Sequence, residues 1–489
     1  MAVGNTIIQE ADNMKMIING KLADSECGQT FDVINPADGS VIDSVPRATA
    51  KDIEAAIDAA VEGQKVWAKI PTWQRAEILY KFVDLVKVNK ESLAQTLCAE
   101  NGKPISEARA EIGNILIAFP AFIEHAKHFY GSFIPAGQEP GNDTNLQLLT
   151  REPIGVVVCI IPFNFPCDLY DQKVAPALMM GNAAIVLPSS DNPLTLMKLS
   201  EIMIEAGVPA GVIQCLTAPG SVKSAAVTDP RVGLVTLTGS TEVGIDTAKL
   251  AAANLTHTAL ELGGNDAFIV MEDGDVDLAV EELVWGRMYN TGQVCCASKR
   301  FLVHNSIKDE FAAKVVDRIK KIKVGVPSEE SSQMGCLISE KAAVKVEKEV
   351  ERTVEQGGKI VLGGHRNGAY YEPTVIVDVP KTADVAYDME IFGPVVPIIG
   401  FDTEEEAIEI ANQSKFGLSS CVFSKDAKTA MRVASRMEAG GAVINGASFF
   451  RSFELPFGGW KQSGIGTEGV FSTFNEMTKA KNIILKNIY

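Results

Sequence analysis

Three residues in this chain have the types and settings needed for covalent chemistry on a carbonyl group. Glu261 opens the phrase ELGGND, Cys295 lies 34 positions later in GQVCCASKR, and Asn164 lies in PFNFP. A thiol attacks as its thiolate, which requires a low-pKa setting near a helix start or a cation. Glu261 ends the apolar phrase Thr258–Leu260, and partial desolvation there raises a carboxylate toward the pKa of a base that activates water. A carboxamide such as that of Asn164 can hold an oxyanion. Together they describe attack by sulfur followed by release through activated water. Each also has a plainer reading. Cysteine is usually a small buried hydrophobe, Glu261 can be a salt-bridged structural acid, and Asn164, between two phenylalanines and before Pro166, can cap a turn. Cys296 is a rival nucleophile, and the physics of the sequence does not choose between the two.

The elements that would position these groups alternate between helical and strand periodicity, the pattern of an α/β protein with parallel sheets. Strands are expected at Gly155–Pro162, Ala183–Leu187, Val232–Thr238, Ala267–Met271 and Arg300–His304. Helices are expected at Asp52–Trp67, Arg75–Glu100, Thr241–Ala253, Val276–Tyr289, Ile307–Lys323, Glu340–Gln356, Thr403–Asn412 and Ala427–Glu438. The Gly- and Pro-containing stretch Gly131–Asn145 reads as a hairpin arm, and Ala480–Tyr489 as a strand whose free edge needs a partner. After Val232–Thr238, Gly239-Ser240 leads into a helix whose free amides suit a pyrophosphate. TGSTEVG is nonetheless neither GxGxxG nor a P-loop. The one GxGxxG match, Gly464–Gly469, follows no convincing strand and opens no βαβ unit, so it is rejected as a dinucleotide fingerprint.

At 489 residues the chain should form two or three domains. A net charge of −17 argues against nucleic acid as a partner. Met1–Asn19 carries Glu10, Asp12 and Lys15 and no apolar run of signal-peptide length. No stretch is apolar for long enough to span a bilayer. The nine scattered cysteines lack paired metal-ligand spacing, which suits reduced thiols in a cytoplasm, and the five histidines do not cluster. Neither a metal nor a membrane partner is expected.

Read in order, INGK, FDVINPADGSVI, ENGKP, PFNFP, TGSTEVG, ELGG, NTGQVC, EIFGPV and PFGGWKQSGIGTEG resemble the aldehyde dehydrogenase superfamily over nearly the full length. In GRMYNTGQVCCASKRF and ELGGND the chain is most similar to bacterial succinate-semialdehyde dehydrogenases. The resemblance makes Cys295 the nucleophile, places Asn164 and the Cys295 amide in the oxyanion hole, and gives Glu261 the activation of water. It also implies hydrolysis, because members that pass the acyl group to coenzyme A typically lack that glutamate. The expected cofactor is NAD or NADP, held by Ile161, Pro162, Phe163, Ser190, Gly239, Ser240, Val243, Leu262, Glu390 and Phe392.

The resemblance further implies a Rossmann-like cofactor domain (1–127 and 150–260), an α/β catalytic domain (261–465) and a small β oligomerisation element (128–149 and 470–489), with a homodimer or homotetramer as the assembly. Most members carry a K-P-S-E phrase where this chain has Leu187-Pro188-Ser189-Ser190. Losing the lysine removes an attraction for a 2′-phosphate and losing the glutamate removes a repulsion, so the choice of dinucleotide stays open. Related semialdehyde enzymes have arginines where this chain has Gln172 and Tyr289. Arg451 is therefore expected to hold a substrate carboxylate or hydroxyl, with a solvated rim arginine as the alternative. Phe165, Tyr289, Phe449, Phe450 and Phe457 would complete an apolar pocket. A semialdehyde such as succinate semialdehyde is the expected small-molecule substrate. Lactaldehyde, an aromatic or a medium aliphatic aldehyde is the alternative. Two other classes rank behind an active oxidoreductase: an inactive protein on the same fold, which the intact trio argues against, and a nucleotide-free thioesterase or esterase, since Cys295 and Glu261 alone could hydrolyse an ester.

Overall fold

The computed structural model describes residues 13–488. Glu10, Asp12 and Tyr489, which entered the expectations above, lie outside the described residues.

Five parallel strands form the centre of an eight-stranded sheet, in the order Ile213–Cys215, Ala183–Leu187, Val156–Ile160, Val232–Thr238 and His257–Glu261. Runs such as VVVCI and AAIVL are apolar at every position because both faces of the sheet are covered. Side chains alternate between two cores. Val157, Cys159, Ala184 and Val186 meet the helices Thr72–Val88, Ile105–Ala126, Pro166–Met179 and Leu194–Ala206. Val156, Val158, Ile160 and Ile185 meet the helix Ala50–Trp67. Short antiparallel strands close the two edges, Met16–Ile18 with Lys21–Ala23 at one and Gly464–Ile465 at the other.

The chain builds outward from Val156–Ile160 on one side, then resumes on the other side at Val232–Thr238. The turns leaving these neighbouring strands diverge, which opens a crevice at their carboxyl ends. A second, seven-stranded sheet has Asp266–Val270 and Ser298–His304 at its centre and is parallel except for its edge strand Lys359–Leu362. A third sheet pairs Thr478–Leu485 with Leu146–Pro153, which in turn pairs with Ser132–Ile134. The expected arm and C-terminal strand therefore meet each other, and Phe133, Ile483 and Ile484 remain exposed.

Two expectations need correction. Arg75–Glu100 is not one helix but two, Thr72–Val88 and Lys90–Asn101. Asn89 breaks them with φ −93° and ψ 8°, and its side-chain amide donates to the Leu85 carbonyl at 2.9 Å. The helices Ile105–Ala126, Pro166–Met179 and Leu194–Ala206 were not anticipated. Pro166–Met179 is buried nearly all round, so it shows no amphipathic stripe to read. No helix among the described residues is long and apolar enough to cross a membrane.

Arg300 ties the second sheet to its surroundings without any carboxylate partner. Its guanidinium donates to the carbonyls of Asn265, Ala386, Ile410 and Ala411 at 2.6 to 3.1 Å, the last two at the end of the helix Glu404–Asn412. Arg300→Met would take the donor from the carbonyls of Asn265, Ile410 and Ala411, while Ala386 keeps the Gln413 side chain, at a cost of roughly 3 kcal/mol. We expect a lowered apparent midpoint in thermal unfolding, and an unchanged midpoint would refute this account.

Candidate active site

The thiol is delivered by an unusual turn. After the helix Val276–Met288, three successive residues have positive φ: Asn290 (50°), Thr291 (54°) and Gly292 (75°). For the β-branched Thr291 such a conformation costs on the order of 1–3 kcal/mol, and it persists only where neighbours over-determine it. They do so here. The Asn290 amide donates to the Glu107 carboxylate at 2.8 Å, and its side chain donates to the Asn164 carbonyl at 2.8 Å. Gln293 donates back to the Asn290 carbonyl at 3.1 Å and accepts from the Ile338 amide at 3.0 Å. A Cβ on Gly292 would lie 2.3 Å from the Gly393 carbonyl oxygen, so only glycine fits. The turn sets Cys295 on the wall of a cleft, while Cys296 packs into an apolar cluster with Val294, Ala297 and Leu418. Tertiary structure thus separates the two adjacent thiols.

A hydrogen bond from Cys296 brings the Cys295 pKa down to about 7, overcoming burial with help from Lys299 and Arg451. The same bond, together with burial, drives the Cys296 thiol well up. Lys299 Nζ also donates to the Cys295 carbonyl at 2.5 Å and lies 3.1 Å from Glu390. The sequence reading sought a cation for the thiolate but did not name Lys299, although CCASK places it four residues beyond Cys295.

Glu261 is the last residue of its strand, paired with Thr238 on one side and Gly464 on the other. It is buried, and neither carboxylate oxygen has a hydrogen-bond partner among the described residues. Burial first, and then repulsion from Glu468, push its pKa well above the ordinary range. The rejected Gly464–Gly469 phrase finds its place here. It contributes an antiparallel edge beside Glu261 rather than a phosphate loop, and a Cβ on Gly464 would lie 2.5 Å from the Leu260 carbonyl oxygen. Asn164 is also buried; its carbonyl accepts from Lys103 and Asn290, both at 2.8 Å, while its carboxamide makes no hydrogen bond among the described residues.

The cleft, of about 520 Å³, occupies the crevice between the diverging turns. Its lining includes Pro162, Phe163 and Asn164 from one turn, Gly239 and Ser240 from the other, and Leu262, Cys295, Glu390 and Phe392. Ser240 caps the helix Thr241–Ala252 by accepting from the Val243 amide at 3.3 Å. The Glu242 carboxylate lies at this helix start, held below its usual range by its own amide and by Ser240. The amides of this helix start, beside Gly239 and Ser240 on the cleft wall, suit the pyrophosphate of a dinucleotide. Glu390 accepts from the Gly264 amide at 3.3 Å, and Phe392 meets Phe163 edge-on. Three expected residues are not on this wall. Ile161 is buried, Val243 is exposed in the first helical turn, and Ser190 lines a separate groove that shares only Ile338 with the cleft.

Aromatic rings gather on the other side of Cys295. Phe165 stacks on Tyr289 at 6.1 Å and 10°, and Phe449 leans on both. Phe165, Phe449, Phe457 and Cys295 pack on one apolar cluster. Phe450 does not belong with them, being 60% exposed on the loop. Arg451 is not a solvated rim residue. Its guanidinium lies 4.1 Å from the Phe457 ring centre and donates to Glu468 at 3.0 Å, while Lys173 holds the other Glu468 oxygen at 2.7 Å. Burial opposes the ionisation of Glu468, but these two cations outweigh it and keep its pKa low. Arg451 Nε, both amide atoms of Gln172 and one oxygen of Asp168 are buried without partners among the described residues. Burial raises the Asp168 carboxyl to about 7.

Residues 22–483 match the aldehyde dehydrogenase family. A glutarate-semialdehyde dehydrogenase of Pseudomonas putida is 38% identical over 454 residues, covering 92% of this chain and 93% of that protein. The NADP(+) succinate-semialdehyde dehydrogenase of Escherichia coli K12 is 36% identical over 457 residues, covering 93% and 94%. Among solved structures, a betaine aldehyde dehydrogenase of Staphylococcus aureus in complex with NAD+ superposes with a TM-score of 0.93 at 36% identity, covering 97% of this chain and 95% of that one.

The thiol pair gives a direct test. Cys296→Ala keeps the packing but removes the donor that favours the Cys295 thiolate. The pH midpoint for alkylation of Cys295 by iodoacetamide should therefore rise from about 7. An unmoved midpoint would show that Lys299 and Arg451 suffice.

Proposed function

The chain belongs to the aldehyde dehydrogenase family, whose members are NAD(P)-dependent oxidoreductases, and we propose that it oxidises its aldehyde hydrolytically through a thioester on Cys295. The observation that carries this reading is a pair of pKa values moved toward each other: the thiol is lowered to about 7 and the buried, unpartnered Glu261 is raised. A thiolate available near neutrality and a carboxylate basic enough to take a proton from water are the two groups such a cycle needs.

The Cys295 thiolate adds to the carbonyl carbon, and the oxyanion is held by the Asn164 carboxamide, which has no protein partner to give up, and by the Cys295 amide. A bound dinucleotide, held by the crevice residues and the start of the helix Thr241–Ala252, supplies the hydride acceptor. Glu261 then takes a proton from water, the water oxygen attacks the thioester carbon, and the carbon–sulfur bond breaks to release the carboxylic acid and the thiolate. Within this reading, 1–127 and 150–260 hold the cofactor, 261–465 carry the nucleophile, and 128–149 with 470–489 join copies into a dimer or tetramer.

The substrate in this proposal carries an anionic group, as succinate semialdehyde does. Lys173 and Arg451 face a single charged carboxylate, Glu468, while burial favours the neutral form of Glu261. While Cys295 is protonated or bonded to substrate, one positive charge is therefore left over in the site, and the buried Arg451 Nε has no partner among the described residues. A substrate carboxylate supplies both the charge and the acceptor. The names of the Pseudomonas putida and Escherichia coli relatives agree with this class. A second reading, a hydroxy-aldehyde such as lactaldehyde, is favoured by Gln172 and Asp168, whose unpartnered atoms suit a hydroxyl.

Glu261→Gln should keep a burst of reduced nicotinamide of one equivalent per site and slow the following turnover roughly a hundredfold or more. In the parent enzyme the base must be deprotonated, so hydrolysis of the thioester should slow as pH falls through the raised Glu261 pKa. Loss of the burst itself would move Glu261 out of the release step. Arg451→Gln should lower kcat/KM for succinate semialdehyde by roughly tenfold more than for benzaldehyde, the value of one charge-assisted hydrogen bond. Equal losses on both would leave Arg451 only its bond to Glu468.

A further inference from the structure

Lys299 is the second residue of the strand Ser298–His304, and its ammonium is buried. A charge out of water needs a counter-charge, and a buried ion pair adds little net stability over apolar side chains of the same size. The charge at Lys299 therefore needs another explanation than stability. Two carboxylates feel it. Burial pushes Asp266 up to about 8, which leaves Glu390 as the charged partner near neutrality. Lys299 Nζ lies 3.1 Å from Glu390 Oε1, the one cation within ion-pair distance of that carboxylate among the described residues. The Gly264 amide donates to the same oxygen at 3.3 Å. Glu390 Oε2 rests against Gly263, where an added Cβ would lie 2.5 Å from it. The carboxylate is clamped through one oxygen, and the other makes no hydrogen bond among the described residues.

The same ammonium donates to the Cys295 carbonyl at 2.5 Å and lies 5.8 Å from the centre of the Phe392 ring. Cys295, Glu390 and Phe392 line the cleft, and Lys299 does not. It therefore acts on a ligand only through the groups it holds. A carboxylate with a free oxygen suits the hydroxyls of a ribose. The tie to Cys295 sets Glu390 at the end of the cleft where the aldehyde reacts. We infer that Lys299 is a positioning residue for the cofactor: it orients Glu390 to accept from the ribose beside the hydride-accepting ring, and it fixes that carboxylate to the main chain of the nucleophile. The inference rests on the crevice being the dinucleotide site. One ammonium then anchors both the segment that carries the substrate and the carboxylate that faces the cofactor, which keeps the two reactants in a fixed relation. Without it, Glu390 would keep only the Gly264 amide, and its charge would stand uncompensated beside Cys295, whose thiolate it opposes.

Calorimetric titration of the full-length protein with NADH and with ADP tests this without turnover, or with the 2′-phosphorylated pair if the parent binds that pair more tightly. Both ligands carry the adenosine half, and only the dinucleotide carries the second ribose. Lys299→Met should weaken NADH binding roughly tenfold, the value of one charge-assisted hydrogen bond, and leave ADP binding unchanged. Glu390→Gln should do the same. The double variant should lose no more than Glu390→Gln alone, because Lys299 acts on the ligand through Glu390. Lys299→Gln, which keeps a donor for the Cys295 carbonyl but not the charge, should repeat the pattern and serves where Lys299→Met does not fold. NADH affinity unchanged in the Lys299 variants or in Glu390→Gln overturns the inference, as do losses that add in the double variant. An equal loss on ADP also overturns it, because Lys299 would then support the crevice as a whole. If the parent binds neither nucleotide, the crevice is not the dinucleotide site and the inference falls with it.

Discussion

A charge removed from water must find a partner or give up its ionisation, and this constraint organises the site. Glu261 has no partner, so burial favours its neutral form and makes it basic. Glu468 has two partners and stays charged in equally buried surroundings. Cys295 finds its stabilisation in a neighbouring thiol and two cations, and its pKa falls. The three groups differ less in how deeply they are buried than in what they face.

Holding them apart is a task for the backbone. Parallel strands end with their carboxyl ends on one side of the sheet, and the reversal of strand order opens a gap there. Glu261 ends one strand, Asn164 follows another, and the phosphate-suited helix start follows a third. Cys295 comes from the second sheet through the left-handed Asn290–Gly292 turn, whose strain is held by hydrogen bonds with three other segments. One of those bonds also fixes the Asn164 carbonyl. The Cys295 turn and Asn164 are therefore positioned by a shared contact.

Strands that are short, apolar and bounded by turn residues were legible: Ala183–Leu187 and Val232–Thr238 coincide with their expected limits. The helix Pro166–Met179 was not, because a helix buried on all sides has no polar face to set its period. Asn89 breaks a run that reads as continuous because its propensity to end a helix is weak until packing selects it. In the site, Cys295, Glu261 and Asn164 could be singled out because each sits in a short phrase of distinctive composition. Lys299, Glu468 and Lys173 had no such phrase, and they matter only through the side chains they face.

The sequence by itself determined the α/β class, the identity of the groups able to do chemistry and the family likeness, because periodicity, turn residues and residue types are local properties of the chain. Tertiary structure alone decided which of two adjacent cysteines meets the cleft and that Arg451 is bound to Glu468 rather than solvated. Those outcomes depend on burial and on partners hundreds of residues away. Electrostatics acts through space and is blind to sequence separation.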